Sequence, residues 1–306
     1  MIIKLKILSQ LYHVIRVTGM NSKLLKQVQK RITSFFWYPR KMCLVSMRTL
    51  QNSVENGGLG IPDLNVISKA ILVERISKIL KANPPWKGQL IYRIGFTIRD
   101  INRSFASPTY VHTFKQTSVS CEIATTYREI KNRVTDWTNE TFTSLQVHLS
   151  NDADYHKRAN RNYGDTWLSI RNSTSDRCAR DVCYLIAHDA LPTCDMLTRR
   201  NVIQLNICQL CHKQVETIKH LFIECEKIRT LKRMIEKIID PQTGRTLSEE
   251  EIIYHEGRIK MKKKPNRLVA LYKHVIWTTR AKLYYGEIDV KNINATLTST
   301  FSNRMK

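Results

Sequence analysis

Acidic residues are scarce where the chain begins. None occurs before Glu55, and the 306 residues carry 26 Asp+Glu against 50 Lys+Arg. No two aspartates are adjacent anywhere. Two-metal polymerases need paired aspartates to hold their ions, so no polymerase active site is expected in this chain. His-Glu-x-x-His, a phosphate loop ending in Gly-Lys-Ser/Thr and Gly-x-Ser-x-Gly are missing as well. Zinc-protease, P-loop and serine-hydrolase chemistry are thereby excluded. No apolar run reaches eighteen residues, so no membrane span is expected. Eight cysteines are too sparse for a disulfide scaffold at this length.

What the chain has in excess is positive charge. The net charge is +24 and the pI near 9.9, which makes a polyanion the default partner, RNA or DNA before an anionic membrane surface. A hydrophobic content of 42% is enough to fold, and the length allows two or three small domains or one irregular helical array. Helical periodicity dominates, so the expected class is mainly α. Lys4 and Lys6 interrupt the apolar start, so a secretory signal does not fit. The acid-free N-terminus also suits a mitochondrial presequence. A basic folded helix over 1–18 is preferred, because the acid-free region runs straight into a large apolar cluster.

Asn21-Ser22 caps the next helix, which places Leu24, Leu25, Val28, Ile32, Phe35 and Phe36 on one face. Lys23, Lys26 and Lys30 share roughly the opposite face, as a ridge for a phosphate backbone or as a solvated surface. Trp37-Tyr38-Pro39 ends that helix. Gly57-Gly58-Leu59-Gly60-Ile61-Pro62-Asp63-Leu64 makes a turn before a helix from about Val66 to Lys81, and Asn83-Pro84-Pro85-Trp86 breaks the chain. Residues 121–150 read as partly helical. The stretch Tyr155 to Tyr163 interleaves Lys157, Arg158 and Arg161 with aromatic residues, which suits phosphate contact plus base stacking or a solvated loop. Ile228, Leu231, Ile235 and Ile238 form a stripe that Asp240-Pro241 stops. Arg258, Lys260, Lys262, Lys263 and Lys264 then make a basic run, either a solvated linker or a nucleic-acid clamp. A last helix is expected from about Asn266 to Tyr285, packing on the metal module described next.

Cys208, Cys211, His220 and Cys225 follow the spacing Cys-x2-Cys-x8-His-x4-Cys. Two cysteines separated by two residues form a knuckle whose thiolates point at one metal. The later His and Cys close a tetrahedron around one structural Zn2+, with no position left for substrate. Glu216-Thr217 reads as a helix start, with His220 in the first turn and Leu221 and Phe222 facing a small core. Thiolate ligands must stay reduced, which favours an intracellular compartment, nucleus or cytoplasm. Cys178, Cys183, His188 and Cys194 offer a second Cys-Cys-His-Cys order. There, Val182, Cys183, Leu185 and Ile186 read instead as the buried side of a helix.

Cys208-Gln-Leu-Cys211, Glu216-Thr217 and His220-Leu-Phe-Ile-Glu-Cys225 resemble the zinc-binding domain that follows the reverse transcriptase of non-LTR (LINE-type) retrotransposons. The run Val182-Cys-Tyr-Leu-Ile-Ala-His-Asp-Ala-Leu-Pro-Thr193, with Leu197 and Arg199-Arg200, is similar to that family's approach to its first ligand. The Phe-Trp cluster and Gly-Gly-Leu-Gly-Ile-Pro-Asp-Leu resemble the segment just after the polymerase palm. The resemblance implies four parts: thumb and post-palm helices over 1–82, a connector over 83–165, the zinc-binding domain over 166–240, and a basic linker with a C-terminal helix over 241–306. It further implies a non-catalytic fragment of a retrotransposon polyprotein that holds template RNA or target DNA during target-primed reverse transcription. An upstream palm would be its partner in a full polyprotein. Two rivals stay open. One is a restriction-like endonuclease built from Asp240, Glu249 to Glu251 and Lys260, although its residue order is reversed. The other is a zinc-fold host adaptor, which the charge argues against.

Overall fold

Leu64–Ala82, the helix expected from about Val66, is apolar around most of its circumference, so it packs on several sides at once: Leu64, Ile67, Ala70, Ile71, Val73 and Ile76 are all buried. The Gln29 carboxamide oxygen accepts from the Leu64 N–H at 3.2 Å and satisfies one of its open first-turn donors. In the computed structural model the described residues are 8–18, 22–37, 43–82, 84–86, 126, 141–149, 164–242, 245–260 and 262–305. They are helical apart from turns and one antiparallel bridge, Ile207 to Val215. The chain divides into two units, one made of Met1–Lys41 with Ile61–Ala153, the other of Met42–Gly60 with Asp154–Lys306.

The first unit holds α1 (Leu8–Thr18), α2 (Ser22–Phe36), α4 (Leu64–Ala82) and α5 (Phe142–Leu149). Within it α4 is central, packing against the other three. On α2, Leu25 and Ile32 are buried and Val28 is half-buried. Leu24 and Phe35 are not part of the buried face: they are 44% and 67% exposed. Both sit on one edge of the stripe, rotated away from the line through Leu25 and Ile32, so the buried face is narrower than the apolar pattern.

The second unit begins with the short α3 (Met47–Gln51) and a 3-10 turn, Val54–Asn56. Beyond residue 163 it contains α6 (Gly164–Ser173), α7 (Arg177–Ala187), α8 (Cys194–Arg199), α9 (Arg229–Ile239), α10 (Glu249–Tyr254), α11 (Lys263–Tyr284) and α12 (Ile293–Met305). Their starts are written in the sequence. Asp176 accepts from the N–H groups of Cys178 and Ala179, Thr193 from Met196, and Ser248 with Glu251 forms a capping box. The axis of the unit is α11, packed against α6, α7, α9 and α12. Leu268 to Ile276 of α11 are buried without a gap, Lys273 included.

The glycine turn belongs to this second unit. Gly57 has φ +75°, and a Cβ there would stand 2.6 Å from the Trp167 ring. Its carbonyl accepts from the Tyr184 hydroxyl and lies 2.8 Å from His188 Nε2, both at the same distance, while the His188 ring stacks on Trp167 with centroids 4.4 Å apart.

Candidate metal centre

The loop before the first ligand is pinned on both sides. Cys208 N–H donates to the Gln214 carbonyl at 2.7 Å, Glu216 N–H to the Asn206 carbonyl at 2.7 Å, and His212 N–H to the Cys208 carbonyl at 2.9 Å. His212 takes a left-handed backbone, φ +54°, which reverses the chain just after the knuckle. Cys208 and Cys211 are thereby brought to one side of a tight turn.

The second ligand pair sits on a widened turn. The Thr217 hydroxyl accepts from the His220 N–H at 3.0 Å and starts the turn where the sequence predicts. His220–Glu224 then forms a π turn, closed by the Cys225 N–H on the His220 carbonyl at 2.8 Å. In an α-helix, positions five apart point about 140° apart. The i→i+5 closure of a π turn brings them to the same side. An α-helix would set Cys225 about one and a half turns past His220; the single wide turn instead lets His220 and Cys225 serve as ligands to one metal ion. Leu221 and Phe222 are fully buried, and the Phe222 carbonyl accepts from the Tyr272 hydroxyl of α11 at 2.8 Å.

All four side chains are buried, and their ligand atoms lie within 4.8 Å of one another. Cys211 Sγ and His220 Nε2 are 3.4 Å apart. Bonds of about 2.3 Å to sulfur and 2.0–2.1 Å to nitrogen set tetrahedral ligand separations of roughly 3.5–3.8 Å. The donors thus stand close to bonding separation, with three soft sulfurs and one imidazole, the set that zinc takes in a closed site. Burial lowers the His220 pKa, which keeps the imidazole neutral and its lone pair on offer. A hydrogen bond with Cys225, and burial after it, raise the Cys208 thiol far above the usual thiol range. Three neighbouring buried thiols do not ionise together unless a cation pays for the charge, so the site is built for a divalent ion. One structural zinc fits these residues, crosslinking the knuckle to the π turn, with no position open for substrate.

What holds this centre to the rest of its unit is not a local feature of the sequence. The Glu216 carboxylate is completely buried. It accepts from the Cys194 N–H at 2.9 Å, from the Gln209 N–H inside the knuckle at 2.9 Å, and from Arg280 Nη2 at 2.8 Å. Arg280 also donates to Cys194 Sγ at 3.3 Å, and its guanidinium lies 5.0 Å from the Trp277 ring centroid. A single ion pair therefore joins the knuckle, the start of α8 and the far end of α11. Gln209 Nε2 reaches the same Cys194 sulfur at 3.6 Å. The only local signal was the acidic-Thr pair at 216–217, read as a helix start.

The other residues singled out in the sequence are dispersed. Lys23, Lys26 and Lys30 are exposed on α2 in the first unit, and Lys157, Arg158 and Arg161 lie outside the described residues. In the second unit, Arg258 falls in the 3-10 turn Gly257–Ile259, and Lys260 pairs with Asp165. Lys262 precedes α11, and Lys263 and Lys264 are exposed in its first turn. Glu251 is spent in its capping box and Glu249 pairs with Lys219 at 3.1 Å. Cys178, Cys183, His188 and Cys194 do not converge. Cys178 is exposed, Cys183 sits in the core, and His188 and Cys194 have the partners given above. Among the described residues the Cys208 group alone has metal-binding geometry.

A buried Cys3His set of this kind defines a closed structural zinc module. The family described as zinc-binding in reverse transcriptase matches residues 155–231, a stretch that contains all four ligands. No curated protein matches the chain. No helix among the described residues is long and apolar enough to cross a membrane.

Proposed function

We propose that the chain is the C-terminal, non-catalytic part of a LINE-type retrotransposon reverse transcriptase, and that it binds nucleic acid. In this reading the zinc module keeps a basic surface folded against template RNA or target DNA during target-primed reverse transcription. The polymerase chemistry resides in an upstream palm, and the protein works inside the cell, in nucleus or cytoplasm, where thiols stay reduced. The observation that carries the reading is the closed Cys3His centre within a stretch similar to the zinc-binding region of reverse transcriptases. The net charge of +24 supports a polyanionic partner. The exposed lysines at the start of α11 strengthen the case for phosphate contact, because the helix dipole adds its positive end to theirs.

The test is a salt titration of RNA and DNA binding. Each phosphate contact adds roughly 0.7 to 0.9 to the slope of log affinity against log salt. Replacing Lys262, Lys263 and Lys264 with Gln is expected to lower that slope by about two to three, similarly for all sequences. A wild-type chain that binds neither nucleic acid at low salt would favour a protein adaptor instead. Divalent-metal-dependent nicking of DNA would favour the endonuclease.

A further inference from the structure

The first unit carries a cleft of about 660 Å³ between α1, α4 and the turn at 84–86. That volume falls within the roughly 300–1,000 Å³ of pockets that take small ligands. Its walls are apolar and aromatic: Ile71 and Ile79 of α4, then Pro84 and Trp86, whose ring is half exposed. Its rim is cationic. Arg16, Arg75 and Lys78 face it, and Glu74 is the one acidic residue among the described lining residues, a surplus of two positive charges (three minus one). These groups are held in place. Lys78 Nζ lies 2.8 Å and Arg16 Nη2 3.7 Å from the Glu74 carboxylate, and Arg75 Nη1 donates to the Arg16 carbonyl at 3.2 Å. Arg16 also sits 5.7 Å from the Phe142 ring centroid. An exposed indole costs free energy in water, and here it stands beside anchored cations and an open cleft.

We propose that this cleft binds one nucleotide of a single-stranded nucleic acid, with the base stacked on Trp86 and the adjoining phosphates against Arg75 and Lys78. The inference rests on the nucleic-acid reading above and adds a site to it. An unpaired base offers the planar face that an indole takes, whereas a duplex hides that face within its stack. Apolar walls under a cationic rim match a base joined to a phosphate. An acidic peptide would meet the cations and leave the indole without a planar partner.

The experiment uses the full zinc-loaded chain with oligo(dT), oligo(U) and a duplex of mixed sequence. Trp86→Ala is expected to weaken single-strand binding roughly 5- to 150-fold, while Trp86→Phe keeps most of it. Duplex binding stays unchanged in both variants. Replacing Arg75 and Lys78 with Gln lowers the single-strand salt slope by about 1.4. A bromouracil-substituted oligonucleotide crosslinks under ultraviolet light to the peptide that contains Trp86. Single-strand binding by Trp86→Ala equal to wild type, with crosslinks elsewhere, overturns the cleft and leaves the nucleic-acid reading standing. Absence of any binding by the wild type at low salt overturns that reading as well. Competition by polyglutamate as effective as by oligo(dT) overturns the choice of ligand.

Discussion

Glu216→Gln tests the anchorage of the zinc module more sharply than any ligand change, because it alters no ligand and almost no volume. In the folded chain the carboxylate receives two backbone N–H groups and the Arg280 guanidinium, and it has no solvent exposure. Glutamine keeps one acceptor oxygen, while its amide nitrogen must face a donor, at Cys194 or at Gln209. Arg280, only 7% exposed, is left as a buried cation without a counter-charge. Removing one member of a buried ion pair costs about 3–5 kcal/mol. That is a large share of the roughly 5–15 kcal/mol that holds a domain together. At about 2–4 °C per kcal/mol for a domain of this size, the melting temperature of the second unit should drop by roughly 6–20 °C. Circular dichroism on the zinc-loaded protein reads this directly. A chelator should also strip zinc faster from the variant, since Gln209 loses its anchor inside the knuckle. Adding Arg280→Met to Glu216→Gln should restore part of the loss by removing the stranded charge. A drop of under about 1 kcal/mol, with unchanged zinc release, would show that Glu216 does not anchor the module.

Two further outcomes follow from the glycine turn and its neighbours. In Gly58→Ala the new methyl would stand 1.9 Å from the Asn52 carbonyl oxygen, a backbone atom that cannot swing aside. The second unit should lose at least about 1–3 kcal/mol, read from its urea midpoint, and an unchanged midpoint would contradict the packing. The pH dependence follows from His188, whose pKa burial lowers to about 4, with the Gly57 carbonyl working partly against the shift. In the unfolded chain the imidazole takes its proton near pH 6.5, whereas in the fold it does so only near 4. The unfolded state therefore holds more protons between these values, and stability should fall as pH drops from about 6.5 toward 4. His188→Gln should flatten that dependence relative to wild type, and parallel curves would show that His188 does not cause it.

The sequence showed the centre because its four ligands are local, eighteen residues from first to last, and their chemistry is specific. Helices were legible for the same reason, and their ends were less so. The helix expected last, α11, begins at Lys263, ahead of Asn266, since Pro265 is well accommodated in a first turn and the lysines before it can join the helix. It is not the last: α12 (Ile293–Met305) follows, and only Ile293, Leu297 and Phe301 mark its buried side. What could not be read was every contact that joins distant segments. Glu216 and Arg280 are 64 positions apart, and Gly57 meets Tyr184 across 127. Neither pair leaves a periodic trace. Leu24 and Phe35 of α2 show the converse failure, since an apolar pattern says which residues are able to be buried and not how wide the covering surface is.

Cys208, Cys211, His220 and Cys225 are placed to hold one structural zinc, and metal analysis of the purified chain reads that occupancy without intermediaries. Structural zinc contributes on the order of 10–16 kcal/mol of apparent binding energy near neutral pH, so the ion should copurify and its loss should unfold the module around it. One zinc per wild-type chain is expected, and none in the Cys208→Ser, Cys211→Ser double variant, with the helices of the first unit still folded. Zero zinc in the wild type, or one zinc retained in the double variant, would contradict the assignment.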